Sequence, residues 1–232
     1  MPNLLVIDTA TEACSVALQF NSQVYTRSKV APREHGELIL PMVDEVLTEA
    51  NVQLRQLDAI GFGQGPGAFT GLRICVSVVQ GLAFGAELPV IGVSSLQAMA
   101  QEAFDSLGAQ DVLTAIDARM GEVYWGQYQA NGEGLMVLCG REEVCSPECV
   151  TVSGADASKV YSAVGTGWKT YAKELSTTIN LPTVIHKEPL YPSAKAMLRM
   201  ASEQFETGNT VPAEQALPVY LRDNVAKKAK QL

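Results

Sequence analysis

Histidine is scarce in this 232-residue chain, where His35 and His186 are the only two. No H-x-x-x-H or H-E-x-x-H pair exists, so a metallopeptidase, which needs two imidazoles one helical turn apart, has no scaffold. Cysteine is sparse and unpatterned: five residues, an odd number without a C-x-x-C, give no disulfide framework. Cys139, Cys145 and Cys149 lie close together, but a zinc site would need the distant His186 as fourth ligand, and reduced, partly buried thiols are the simpler reading. Basic residues are outnumbered, 17 against 25 acids for a net charge of −8. A surface of that sign repels phosphate backbones, which argues against a stand-alone nucleic-acid binder. Lys227, Lys228 and Lys230 are the local exception, read as a solvated tail, with a minor RNA contact as the other reading.

Long uninterrupted apolar runs are missing as well. The stretch from Ile74 to Val93 is broken by Gln80, Glu87 and Pro89, whereas a membrane span needs about 20 nearly continuous apolar residues. It reads as a buried helix followed by a strand. The first basic residue is Arg27, so the apolar start lacks the positive region of a signal peptide, and a cytoplasmic protein without a membrane partner is expected. What the chain does have is apolar mass: 47% hydrophobic residues, enough for one large or two modest domains.

The apolar pattern opens as a three-stranded meander at residues 4–8, 14–20 and 23–29, with Asn21-Ser22 as the hairpin turn. A helix over 34–51, a strand over 57–63, a helix over 71–86, a strand over 90–93 and a helix over 95–107 follow, the last capped by Ser94 or Ser95. The pattern then restarts. Val112 to Asp117 and Glu122 to Tyr128 read as strands, a third lies near Leu135 to Cys139, and Val160 to Val164 leads into Gly165-Thr166-Gly167. A helix capped by Ser193 closes the pattern at Glu206. "VID" ending at Asp8 is echoed by "AID" ending at Asp117, and "IGFG" by "VGTG". The echoes predict a duplicated α/β protein with mixed sheets. Its halves are residues 1–108 and 109–232, with a C-terminal tail that packs back on the first.

Asp8 and Asp117 each end a first strand, where open α/β sheets place ligand chemistry. Paired across a cleft they could hold Mg²⁺ beside a phosphate. As a plain alternative, each caps its own turn. The run "GFGQGPGAFTG" (Gly61 to Gly71) sits between a strand and a helix, where backbone amides can cradle an anion. It matches neither the P-loop nor G-x-G-x-x-G, and a tight turn is the other reading. Arg73 falls in the first turn of the next helix, against the macrodipole, so a partner or anion is expected to meet it.

Two helices carry more apolar surface than one sheet can cover. On the first, Leu38, Ile39, Met42, Val43 and Val46 belong to an arc of roughly 200° at 100° per residue. On the second, Val76, Val79, Leu82 and Ala83 belong to a surface apolar almost all round. A half-domain has little room to bury both, so a protein interface is expected there, with His35 at its rim. Glu at Val79 and Leu82 is then expected to remove binding without unfolding the chain.

"LLVIDTATEACSVAL" (4–18), "REHGELILPMVDEVL" (33–47), "GQGPGAFTGLRI" (63–74) and "PVYLRDNVA" (218–226) resemble the TsaB (YeaZ) family of tRNA threonylcarbamoyladenosine biosynthesis proteins. The resemblance implies a duplicated actin-like ATPase (ASKHA) fold. It implies partnership with the catalytic paralogue TsaD, with the ATPase TsaE as third component, and tRNA reached only through the complex. In the catalytic paralogues two histidines one turn apart bind the metal; here His35 is followed one turn on by Ile39, so a non-catalytic subunit without a metal is expected. Without TsaD, the face formed by His35, Leu38, Ile39, Met42, Val43, Val46, Arg73, Val76, Val79, Leu82 and Ala83 is expected to make a homodimer. Any ATP or ADP at Asp8, Gly65, Gly67, Thr70, Asp117, Gly165 and Gly167 would be weakly held or completed by the partner. The competing class is a stand-alone ATP-dependent small-molecule kinase of the same fold, which ATP turnover by the pure chain would mark.

Overall fold

A computed structural model describes residues 1–222; the lysines of the basic tail and the end of the 218–226 motif lie outside the described residues. Strands Leu4–Asp8 (β1), Ala13–Phe20 (β2) and Gln23–Val30 (β3) form the expected antiparallel meander. Asn21 and Ser22, with φ of 49° and 65°, give the left-handed two-residue turn that matches the twist of a hairpin. Helix His35–Ala50 (α1) leads to strand Ala59–Gly65 (β4), helix Phe69–Ala86 (α2), strand Val90–Ser94 (β5) and helix Ser95–Leu107 (α3). The sheet order is β3-β2-β1-β4-β5, with β1, β4 and β5 parallel.

The second half repeats this order. Strands Asp111–Arg119 (β6), Glu122–Ala130 (β7) and Met136–Leu138 (β8) form a meander, and the short strand Glu143–Cys145 (β9) pairs with β7. Strand Tyr161–Val164 (β10), helix Thr166–Ile179 (α4), strand Thr183–Ile185 (β11) and helix Ala194–Glu206 (α5) complete it. The order β11-β10-β6-β7-β8 is the first sheet's order read backwards. The fold is thus a duplicated α/β arrangement of two mixed sheets with helices packed on them. Where the first half has α1, the second has only β9 and a single turn at Pro147–Cys149.

The last helices of the two halves are exchanged. Leu96, Met99, Ala100 and Ala103 of α3 pack into the second sheet's core with Val112, Ile116, Tyr128 and Val164. Ala194, Met197, Leu198 and Ala201 of α5 pack on Leu4, Val6, Ala59 and Ile91 of the first. Strand β1 is therefore covered on both faces. Leu5 and Ile7 point to α1 and α2, Leu4 and Val6 to α5, and the strand reads as a continuous apolar run for that reason. After α5 the chain runs back along the first half before Arg222 reaches Glu122 of the second. Val90 and Val211 exchange backbone hydrogen bonds of 2.8 and 3.0 Å, and the Val219 amide donates to the Gln64 carbonyl at 2.7 Å.

Helix α2 is the one helix among the described residues long and apolar enough to cross a membrane by length and composition. Leu72, Cys75, Val76, Val79 and Ala83 form its buried stripe, and the last four join the core beneath β1 and β4. All five cysteines are free. Among the described residues no three His, Cys, Asp or Glu side chains gather as a metal site, so Cys139, Cys145, Cys149 and His186 do not converge.

Candidate functional site: an interlobe cleft and an outward helix pair

The glycine loop between β4 and α2 lies directly on the β1–β2 turn. The Ala68 amide donates to the Ala10 carbonyl at 2.7 Å, and the Thr9 hydroxyl donates to the Gly71 carbonyl at 2.7 Å. A Cβ on Gly67 would stand 2.2 Å from the Ala10 oxygen, and one on Gly71 2.0 Å from the Thr9 oxygen. Close backbone approach explains these two glycines. Gly65 ends β4 with φ +106°, and Thr70 is exposed on the first turn of α2. Gly165 and Gly167 repeat the arrangement in the second half, both packed against the Ala115 backbone.

Asp8 is sealed beneath that loop. It is 0% exposed; its Oδ1 accepts a 3.4 Å bond from the Ala10 amide, and its Oδ2 has no partner among the described residues. Burial raises its pKa from the ordinary carboxylate range to about 7, and the Ala10 amide only partly offsets this. Asp117 is placed differently, on the cleft wall. Its Oδ1 accepts from the Arg119 amide at 2.8 Å and its Oδ2 from the Arg119 guanidinium at 3.1 Å. The two acids that the sequence pairs by position therefore have unlike surroundings, one closed off and one tied to a cation.

The cleft between the sheets is a cavity of about 480 Å³. Ala10, Glu12 and Gly67 from the first half and Asp117, Arg119 and Thr166 from the second line it, together with His35 and Arg222. Arg33 and Arg222 fall within the motifs at 33–47 and 218–226, but no local pattern places the two in one cleft. Arg222 is paired with Glu122 and donates to the Arg119 carbonyl at 3.4 Å.

The helix pair requires a correction at the level of individual residues. Ile39, Val46, Val79 and Ala83 are 0% exposed, and His35, Met42, Val43 and Val76 keep 8% or less. They belong to the chain's own core or cleft wall and present little surface. Glu at Val79 would therefore unfold the chain, contrary to the sequence expectation, because it would bury an unpaired charge. Counting apolar residues along each helix overstates the free surface, because α1 and α2 pack side by side on one sheet. What faces outward is a different set. Leu38 and Leu82 are half-buried and Arg73 is exposed. Leu40 (50%), Phe69 (45%) and Phe84 (80%) are open large apolar side chains. Gly36, Ser77 and Ile74 line a shallow groove between the helices, and a Cβ on Gly36, Gly81 or Gly85 would meet nothing within 4 Å. The Arg73 guanidinium lies 3.8 Å over the Phe69 ring, a cation–π contact that partly answers its position against the helix dipole.

Residues 22–230 match the family model for TsaD, tRNA N6-adenosine threonylcarbamoyltransferase. The tRNA threonylcarbamoyladenosine biosynthesis protein TsaB of Escherichia coli (strain K12) is 47% identical, over 97% of this chain and 96% of that protein. TsaB of Haemophilus influenzae is 40% identical, over 97% and 95%. The crystal structure described as YeaZ from Pseudomonas aeruginosa superposes with a TM-score of 0.88 at 47% identity, covering 95% of this chain and all of that one. These relatives carry biosynthesis names, whereas another structure from that organism (TM-score 0.89, 48% identity, 96% and 100% coverage) is described only by its similarity to peptidase YeaZ. With nearly full-length matches at this identity, the chain belongs to the TsaB family of tRNA threonylcarbamoyladenosine biosynthesis proteins, within the wider TsaD family.

Proposed function

We propose that this chain is a non-catalytic subunit of the tRNA threonylcarbamoyladenosine system, which binds and activates a TsaD-type catalytic paralogue together with a TsaE-type ATPase. The observation that carries this reading is the outward face of α1 and α2. Large apolar side chains stand open there beside Gly36, Ser77, Gly81 and Gly85, a surface on which another helix pair can approach closely. Small residues on a helix allow near backbone contact, and flanking apolar groups supply the driving force. The lack of a second imidazole after His35 supports a supporting role over catalysis, since one imidazole with a sealed Asp8 is a poor metal site. In the absence of the paralogue the same face serves a twofold homodimer, and tRNA is engaged through the complex.

The test is reconstitution. The full chain is mixed with a TsaD-type protein, complex formation is followed by size-exclusion chromatography, and tRNA modification and ATP turnover are measured with and without this chain. Gly81→Arg with Phe84→Asp is expected to abolish both the complex and the homodimer while the thermal unfolding temperature stays close to the parent's. Unchanged complex formation by that variant, or modification by this chain alone, would overturn the reading.

A further inference from the structure

A second groove, of about 460 Å³, lies where α5 crosses the first sheet. It shares no lining residue with the interlobe cleft. Gln19 of β2, in its wall, pairs with Leu4 at the opposite end of β1 from Asp8. Val24 of β3, Leu135 from the turn before β8 and Leu198 of α5 give the groove an apolar floor. Leu135 and Leu198 belong to one core cluster and keep 8% and 4% of their surface, whereas Val24 is open at 46%. Ser202 follows Leu198 one turn along α5, so the helix presents an apolar and a polar group to the same space.

Gln19 is the polar group built into this floor, at 3% exposure. Its Nε2 donates to the Pro2 carbonyl at 2.8 Å and lies 3.5 Å from the Ser202 hydroxyl. The first bond fixes which way the carboxamide points, because only its nitrogen can donate to a carbonyl. The oxygen is left over. Among the described residues no donor reaches Gln19 Oε1, and it is not one of the sealed unpartnered atoms, so it keeps surface in a residue whose little remaining surface lines the groove. The charges around it are unbalanced. Arg199 is already engaged, by Asp105 at 3.5 Å and by the Glu133 carbonyl at 2.7 Å. The carboxylates of Glu133, Glu203 and Glu206 are exposed at the rim without an ion pair among the described residues, and Lys195 is the one lining cation left to face them.

We infer that this groove binds a small organic cation, an amidinium or ammonium group carried on an apolar body of metabolite size. The N–H donors of such a ligand satisfy Gln19 Oε1, its charge answers the rim carboxylates, and its body covers Val24, Leu135 and Leu198. An anion would meet the carboxylates, and a bare ammonium would leave the apolar floor open to water. The groove is on the α5 face of the first sheet, away from the outward surface of α1 and α2, so it stands or falls independently of the partner reading.

Benzamidine is the probe, titrated into ¹⁵N-labelled full-length protein at low, constant ionic strength. Benzoate has its ring with the opposite charge, and methylammonium has its charge without the ring. The expected result is a saturable shift of the Gln19 side-chain amide signals with benzamidine and with neither control, those signals being assigned by their loss in Gln19→Met. That substitution keeps the volume and removes the acceptor, so it should weaken binding about tenfold, the usual effect of losing a charge-assisted hydrogen bond, as read from the backbone amides of residues 198–203. Glu203→Gln with Glu206→Gln alters exposed positions only. It should weaken binding about fivefold with the unfolding temperature close to the parent's, and it carries the test if Gln19→Met does not fold. No saturable shift, an equal response to benzoate, or undiminished binding by either folded variant would overturn the site. Binding of a capped Phe-Arg amide tenfold tighter than benzamidine would assign the groove to an arginine of another protein and overturn the small-molecule reading.

Discussion

The Ala68 amide meets the Ala10 carbonyl at 2.7 Å, and with the Thr9 hydroxyl on the Gly71 carbonyl this bond holds the glycine loop on the turn that follows Asp8. A methyl group on Gly67 would stand 2.2 Å from the same carbonyl. Gly67→Ala is therefore expected to lower stability by about 1–3 kcal/mol through overpacking. Gly81→Ala, on an open helix face, should instead raise it by roughly 0.5–1 kcal/mol. Urea unfolding of the two variants checks both signs; a neutral Gly67→Ala would show that the loop can lift away from the turn.

Much of the fold was legible because its strands are covered on one or both faces and its turns are marked by residue type. Leu4–Asp8 and Ser95–Leu107 stand where the periodicity puts them. Helix α4 was not legible: Thr166, Gly167, Thr170, Thr177 and Thr178 are weak helix formers, and the chain bends at Tyr171. Strand β11 spans three residues, too few for alternation to register. At the site, Asp8, Asp117 and the glycine loops were visible as motifs, but their burial was not. Whether a carboxylate is open or sealed depends on long-range packing, here of residues 67–71 on residues 9–10, which no local pattern encodes.

Asp8 should make stability depend on pH. Its folded pKa of about 7 lies above its ordinary value of 3.8. The folded state thus holds its proton more tightly, and the stabilisation is complete below the unfolded pKa and lost as pH rises through about 7. A shift of this size corresponds to about 4 kcal/mol at most. Asp8→Asn cannot ionise, so its stability relative to the parent should rise between pH 5 and pH 8.5. Thermal melts at the two pH values measure this; an equal difference at both would show that Asp8 is not the titrating group.

Val79 and Phe84, both on α2, separate the core from the outer face. Val79 is 0% exposed and Phe84 80%. Val79→Asp should unfold the chain, since burying an unpaired carboxylate exceeds typical domain stability when combined with the lost packing. Phe84→Asp should alter stability by no more than about 0.5 kcal/mol yet abolish self-association at micromolar protein. Circular dichroism and sedimentation equilibrium, read together, distinguish the two. A folded Val79→Asp protein would contradict the packing described for α2.

Glu142 joins the two halves through a single oxygen. Its Oε1 accepts from the Ser94 hydroxyl at the start of α3 and from the Tyr128 hydroxyl on β7. Burial raises its pKa, and the two donors partly oppose that. Removing one donor leaves the other to satisfy the carboxylate, whereas removing both strands it in a site with little water. Ser94→Ala also loses the α3 cap, worth about 1 kcal/mol, but that part cancels in a double-mutant cycle with Tyr128→Phe. The double variant should therefore lose more stability than the sum of the single losses, with a coupling on the order of 0.5–3 kcal/mol. Urea unfolding of the four proteins gives the coupling directly. Additivity within experimental error would mean that each hydroxyl acts alone and that the halves are held together by the exchanged helices, not by this carboxylate.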